Sequence, residues 1–309
     1  MGHGAREREV FGMSMSLRKQ RDLSISAASG LVIAGDAVYV IADDGLHVHT
    51  YSLGDAQYEK RIRLLDGQLP SGNSPADKKA RKKQKPDFEA LVRVPAQKSL
   101  PHGALLALGS GSRSNRQQGV LVPFRADGTL SEKPDILDFS ALYATLPFDD
   151  TNIEGALILG EQLVLMQRGN NKHPQSALVY APLQDVLQGN AISNGNVTSK
   201  VVCYTLPTID GIPLGFTDGI ALQNGSILFS AVAENTDDSF NDGACAGAAM
   251  GIINAQGQLV QCEWLAELHK IEGIALDAGG TRLYAVTDAD DPDLPAGLFG
   301  VDVPEEWFR

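Results

Sequence analysis

Five stretches of this chain repeat one pattern: a polar residue, a small residue, then an apolar run. One copy reads Glu272-Gly273-Ile274-Ala275-Leu276, and a second apolar run, Leu283-Tyr284-Ala285-Val286, follows across Gly279-Gly280. The others are Ser29-Gly30-Leu31-Val32-Ile33, Glu89-Ala90-Leu91-Val92, Glu154-Gly155-Ala156-Leu157-Ile158 and Asp218-Gly219-Ile220-Ala221-Leu222, each with its own second run downstream. Short apolar runs separated by Gly-containing turns read as paired strands. The polar positions Ser29, Glu89, Glu154, Asp218 and Glu272 fall 60, 65, 64 and 54 residues apart. Several short strands repeated at that period specify a repeat architecture.

Copies one to four read as four strands each. The fifth supplies three, ending in Leu298-Phe299-Gly300-Val301-Asp302, while an unassigned alternating run, Phe11, Met13, Met15 and Leu17, precedes the first copy. A ring closes when one terminus completes the last sheet, and closure removes the exposed edges of an open array. The expectation is an all-β fold, a five-bladed β-propeller spanning residues 1–309 as a single domain and closed by a strand within residues 10–20. Six blades with one degenerate copy is the alternative. Residues 67–86 contain the run Lys78-Lys79-Ala80-Arg81-Lys82-Lys83-Gln84-Lys85 and no apolar pattern, and read as a mobile basic loop.

The 309 residues are 43% hydrophobic, with 32 glycines, which suits a large core of strands and turns. A formal net charge of −12 repels nucleic acid and anionic membrane and favours cations as small partners. Three cysteines, Cys203, Cys245 and Cys262, make no disulfide framework. The first residues lack the apolar core of a signal peptide, and no apolar run approaches the ~18 residues of a membrane span. These features predict a monomeric cytoplasmic protein, or a periplasmic or secreted one if a leader has been removed.

In a propeller the innermost strand of each blade lines the central channel. Ser29, Glu89, Glu154, Asp218 and Glu272 therefore ring one end of that channel. Carboxylates converging on an axis raise one another's pKa, and a bound cation relieves the conflict. Oxygen ligands without His or Cys suit Ca²⁺, with Mg²⁺ as the alternative, and argue against zinc. The competing expectation is that each acid caps backbone N–H groups within its own blade. Loops after the second strands face the same opening. They bring Asp43, Asp288, Glu234 and His173 as candidate acid–base residues. They also bring Arg113, Arg116, Arg168, Asn170 and Lys172 as candidates for holding an anionic substrate. No Gly-x-Ser-x-Gly elbow is present, so nucleophilic catalysis by serine has no support.

At the polar column the chain resembles the soluble calcium-activated nucleotidases, the apyrases, which are five-bladed. Glu154-Gly155-Ala156 and Glu272-Gly273-Ile274-Ala275 are also similar to esterase-like and phytase-like propellers. The chain as a whole resembles a bacterial family of such propellers without an assigned activity. The resemblance implies a calcium-ring role for those five column positions. It implies no nucleotide hydrolysis, because the apyrase substrate loops find no match here. Two functions follow: a metal-dependent hydrolase of a phosphate ester or other anionic small molecule, or a non-catalytic propeller that binds a ligand or protein around a structural cation.

Overall fold

The computed structural model describes residues 15–55, 59–72, 74–188, 199–239, 243–303 and 307. Its strands form five sheets in a ring. Strand β1 (Arg18–Asp22) comes first in the chain but belongs to the last blade. Blade one is β2 (Ala28–Ala34), β3 (Ala37–Ala42), β4 (His47–Ser52) and β5 (Glu59–Arg63). Helix α1 (Pro75–Gln84) leads into blade two: β6 (Phe88–Val94), β7 (Ala104–Gly109), β8 (Gln118–Pro123) and β9 (Asp135–Asp138). Helix α2 (Ser140–Tyr143) leads to blade three, which is β10 (Ile153–Leu159), β11 (Gln162–Gln167) and β12 (Ser176–Pro182), then helix α3 (Leu183–Gln188) and β13 (Lys200–Tyr204). Blade four is β14 (Thr208–Ile209), β15 (Ile212–Ala221), β16 (Ile227–Asn235), β17 (Ala244–Ile253) and β18 (Leu259–Trp264). Blade five is β19 (Ile271–Leu276), β20 (Arg282–Thr287) and β21 (Gly297–Asp302), with β1 as its fourth strand. Five blades form, not six.

The core lies between blades. Five buried apolar clusters form, and each draws on two neighbouring blades. Strand β7 shows why. Both faces of Ala104-Leu105-Leu106-Ala107-Leu108 are buried, so an unbroken apolar run replaces the alternation of a one-sided sheet. Each fully buried Leu there contributes about 2 kcal/mol.

Three expectations need adjustment. The closing strand is Arg18–Asp22, not 10–20; residues 10–14 lie outside the described residues. Met15 instead joins Leu265 of blade four by a parallel bridge, so the entering chain staples two blades before it closes the ring. Blade four gains a two-residue strand, β14, through a tight Asp210-Gly211 turn in which both residues have positive φ.

The basic run is not a structureless loop. Ser74 Oγ accepts from Asp77 N at 3.1 Å, Pro75 opens the helix, and Arg81, Lys82 and Lys83 sit in its last turn, where they complement the dipole. Helix α1 buries no residue and is held by polar contacts alone, which is why an apolar-pattern reading misses it.

A β-bulge interrupts every innermost strand at the same place. The ladder skips Ser29, Glu89, Glu154, Thr217 and Glu272. A bulge re-aims the extra side chain out of the strand's alternation. The column therefore holds Thr217 in blade four, and Asp218 occupies the place that Gly30, Ala90, Gly155 and Gly273 take elsewhere. That place is cramped. A Cβ on Gly155 would sit 2.6 Å from Asp218 Cα, and one on Gly273 would sit 2.9 Å from Leu31 N of the next blade.

Candidate active site at the channel mouth

Two columns of residues meet at one end of the channel. In four blades the same backbone bond joins them: Asp43 N to Ala27 O at 3.2 Å, Ser110 N to Asp87 O at 2.9 Å, Arg168 N to Asn152 O at 2.9 Å and Asp288 N to Lys270 O at 3.1 Å. One partner lies two residues before the bulge, and the other begins the loop after the second strand. This bond sets Asp87, Asn152 and Lys270 beside Ser110, Arg168 and Asp288, around the bulged acids. All of these except Ser110 line a cavity of about 270 Å³. Eleven carboxylates and seven basic side chains line it, so the acids are in excess.

The charges divide into two groups. In the first, Arg168 Nη1 lies 3.4 Å from Glu154 and Nη2 lies 2.5 Å from Glu234. Lys270 Nζ lies 3.5 Å from Glu272, 3.9 Å from Glu234 and 2.7 Å from Asp290. Glu234 also accepts from Gly243 N at 2.7 Å. Burial works against the charge on Lys270, but Glu272 and Glu234 hold its pKa well above normal. Burial raises the pKa of Glu154 and brings Glu272 up to about 8, against the pull of Arg168 and Lys270.

In the second group, Asp43, Asp87 and Glu89 place one carboxylate oxygen each within 4.8 Å of one another. Lys85 pairs with Asp43 and lies 2.8 Å from Asp87 Oδ1. Asp87 Oδ2 accepts from Arg116 Nη1 and from Ser110 Oγ, both at 2.6 Å. Asp87 is a non-glycine residue at φ 56, a costly conformation of the kind that collects at functional sites. Among the described residues Glu89 accepts no hydrogen bond and makes no ion pair. Burial, with Glu154, Asp87 and Asp43 nearby, pushes its pKa well above normal. Asp288 has no ion-pair partner either; burial is the main cause that brings its pKa to about 7.

Of the five positions expected to ring a cation, Ser29, Glu89, Glu154 and Glu272 line the cavity and Asp218 does not. Asp218 Oδ2 accepts from Ile274 N at 2.9 Å and Oδ1 from Gly219 N at 2.8 Å, and Ala156 N also points to it. Ile274 belongs to blade five and Ala156 to blade three, so this carboxylate ties three inner strands. Ser29 Oγ donates across to Phe88 O of blade two. A metal ring of all five therefore does not fit. Asp218 caps backbone N–H groups, but only Gly219 N lies in its own blade and the others lie in the blades on either side; Arg168 and Lys270 supply the counter-charge of Glu154 and Glu272. The donors Asp43, Asp87 and Glu89 do suit a hard divalent cation.

Among the loop candidates, Asp43, Asp288, Glu234, Arg116, Arg168 and Asn170 line the cavity, whereas Arg113, Lys172 and His173 do not. Lys172 is exposed, with Asp237 at 3.8 Å. Arg116 is buried against Asp87, and Asn170 spends its amide on Asp150 and on the N–H groups of Lys172 and His173. Sequence reasoning passed over Lys85, Asp87 and Lys270. A signal was available, since the place two residues before the bulge is polar in three blades: Asp87, Asn152 and Lys270.

A family model described as "Family of unknown function (DUF6929)" matches residues 24–303. The chain belongs to that family. No curated protein sequence matches this DUF6929 chain. Among solved structures, a luciferin-regenerating enzyme is 9% identical, with 94% of this chain and 95% of that one covered and a TM-score of 0.50. Glutaminyl cyclase of Myxococcus xanthus is 11% identical over 94% and 97%, with a TM-score of 0.49. The PQQ-bound aldose sugar dehydrogenase of Streptomyces coelicolor is 12% identical over 93% and 98%, with a TM-score of 0.47. The first of these likenesses agrees with the propeller fold, and none assigns a reaction to the DUF6929 chain. Its three cysteines are free, and no described helix is long and apolar enough to cross a membrane.

Proposed function

We propose that the channel-mouth cavity is the reaction centre of a hydrolase that uses a divalent cation, Ca²⁺ or alternatively Mg²⁺, on a phosphate ester or other small anionic molecule. One observation carries this reading: three carboxylates from blade one and the start of blade two converge within 4.8 Å, and Glu89 among them makes no hydrogen bond or ion pair among the described residues. Acids this close oppose one another's ionisation, and a divalent cation is their natural counter-charge. Asp43, Asp87 and Glu89 would hold it. Such an ion, when bound, polarises a substrate oxygen or lowers the pKa of a water molecule. Asp288 is the base of this scheme, because a carboxyl that titrates near 7 takes a proton efficiently at neutral pH. Lys78, Arg81 and Lys82 on the rim face an anionic substrate.

The test is turnover of phosphomonoester, phosphodiester, nucleotide and carboxylic-ester substrates with Ca²⁺, with Mg²⁺ and with chelator. The expected result is ion-dependent turnover on one class, lost about 100-fold or more in Glu89→Gln, with unchanged circular dichroism. Ion binding by calorimetry without turnover on any class favours the non-catalytic propeller with a structural cation. Absence of both ion binding and turnover overturns the hydrolase reading.

A further inference from the structure

Lys85 stands where a cation at Asp43, Asp87 and Glu89 would have to sit. Its ammonium is paired with Asp43 and lies 2.8 Å from Asp87, so it already engages two of the three carboxylates. An ammonium and a metal ion cannot share that position, because two positive charges a few ångströms apart repel strongly.

The side chain hangs from a helix end and not from the inner strand. Lys85 is not part of β6; it forms the C-cap of α1, with extended backbone, and its N–H bonds to Arg81 O at 2.8 Å. The helix is moored independently of the ammonium. Arg81 Nη1 donates to Pro70 O at 2.8 Å, Arg116 Nη2 to Lys82 O at 2.7 Å and Asn115 Nδ2 to Lys85 O at 3.0 Å. Moving Nζ outward needs rotation about side-chain bonds only. The rim that would receive it carries Asp44 as well as Asp43.

Charge then decides what displaces it. A sodium or potassium ion brings the same single charge as the ammonium, which is tethered and needs no capture from solution. A divalent ion brings twice the charge to the same oxygens. We propose that Lys85 is the specificity-determining residue of this site: a tethered ammonium that holds the Asp43–Asp87 position, excludes monovalent ions and yields to a divalent one. This inference rests on the divalent-cation reading above.

The experiment is calorimetric titration of Ca²⁺ alone into wild type, Lys85→Met and Lys78→Met. Each titration is run at about 0.05 M and about 0.5 M NaCl, to vary screening and sodium competition. Lys78 lines the same cavity without touching the three acids, so its loss controls for a general change of charge. Lys85→Met is expected to bind Ca²⁺ about tenfold more tightly than wild type, a difference of about 1.4 kcal/mol. Lys78→Met is expected to differ less than threefold. Sodium should weaken Ca²⁺ binding more in Lys85→Met than in wild type. Lys85→Gln, which keeps a polar head, serves if the methionine variant does not fold. Binding only after Lys85 is replaced would mean that the ammonium blocks the position and does not yield to a divalent ion, which overturns the proposal. If wild type binds Ca²⁺ and the Lys85 variants bind no more tightly, or Lys78→Met gains equally, Lys85 is not the gate and the cation reading stands. If no variant binds Ca²⁺, both fall.

Discussion

The Arg168 guanidinium joins blade three to blade four, with Nη1 3.4 Å from Glu154 and Nη2 2.5 Å from Glu234. All three side chains are buried. From the sequence alone, Arg168→Ala should stop turnover and spare the fold. The geometry predicts otherwise. Truncation strands two buried carboxylates, and breaking a buried ion pair costs about 3–5 kcal/mol. Urea unfolding of Arg168→Ala should show that loss, and adding Glu234→Gln should recover part of it. Unfolding at the wild-type midpoint would show that the network contributes nothing to stability.

Asp218 makes a separate prediction, because its role is to join blades. Its carboxylate accepts backbone N–H groups from blades three, four and five. In Asp218→Ala those buried donors lose their acceptor, at about 1–3 kcal/mol for each one left unpaired. Thermal unfolding should fall by several degrees or more, whereas affinity for Ca²⁺ should stay within about threefold, since Asp218 does not line the cavity. A large loss of Ca²⁺ affinity with an unchanged melting temperature would restore Asp218 to the cation site.

These two residues show what a sequence column carries and what it hides. Blade number, strand pairing and the ring of inner-strand starts were legible because apolar periodicity and Gly spacing repeat five times. The one-residue offset in blade four was not. The bulge in blade four falls on the buried Thr217, where three other blades place a glutamate, and Asp218 falls on the adjoining cramped position. Helix α1 was hidden for a different reason. It buries nothing, so no apolar stripe announces it, and its stabilising contacts come from Asp44, Arg116 and Asn115, distant in sequence. The pairing of Lys270 with Glu272 could have been read locally. The convergence of Arg168 on Glu234 needed the closed ring.

Asp288 and Glu272 predict how stability follows pH. Burial brings their folded pKa values to about 7 and about 8, against ordinary carboxyl values near 4 in the unfolded chain. Between those limits the folded state holds more protons than the unfolded state, so stability falls as pH rises from about 4 to about 8 and then levels. Differential scanning calorimetry of the metal-free protein across that range should show the decline. Asp288→Asn should flatten it over pH 5–7. An equal slope in the variant would mean that Asp288 titrates normally and is no candidate base.

Glu89 gives the sharpest trade between stability and function. Its half-buried carboxyl lies beside Glu154, Asp87 and Asp43 and makes no hydrogen bond or ion pair among the described residues, and its pKa is raised well above normal against the pull of Lys85. The folded protein therefore bears a cost at neutral pH that is absent below the ordinary carboxyl pKa, where the group is protonated in both states. Glu89→Gln keeps the shape and removes that cost. The variant should be more stable than wild type by roughly 1–2 kcal/mol at pH 7.5, the usual yield of relieving one strained site, with the gain vanishing near pH 4. Chemical unfolding at the two pH values checks this. Ca²⁺ should reverse the order, because it stabilises wild type by mass action and has lost a ligand in the variant. A variant less stable at pH 7.5 would mean that the Glu89 carboxyl contributes to the fold, and its role as a reserved ligand would be lost.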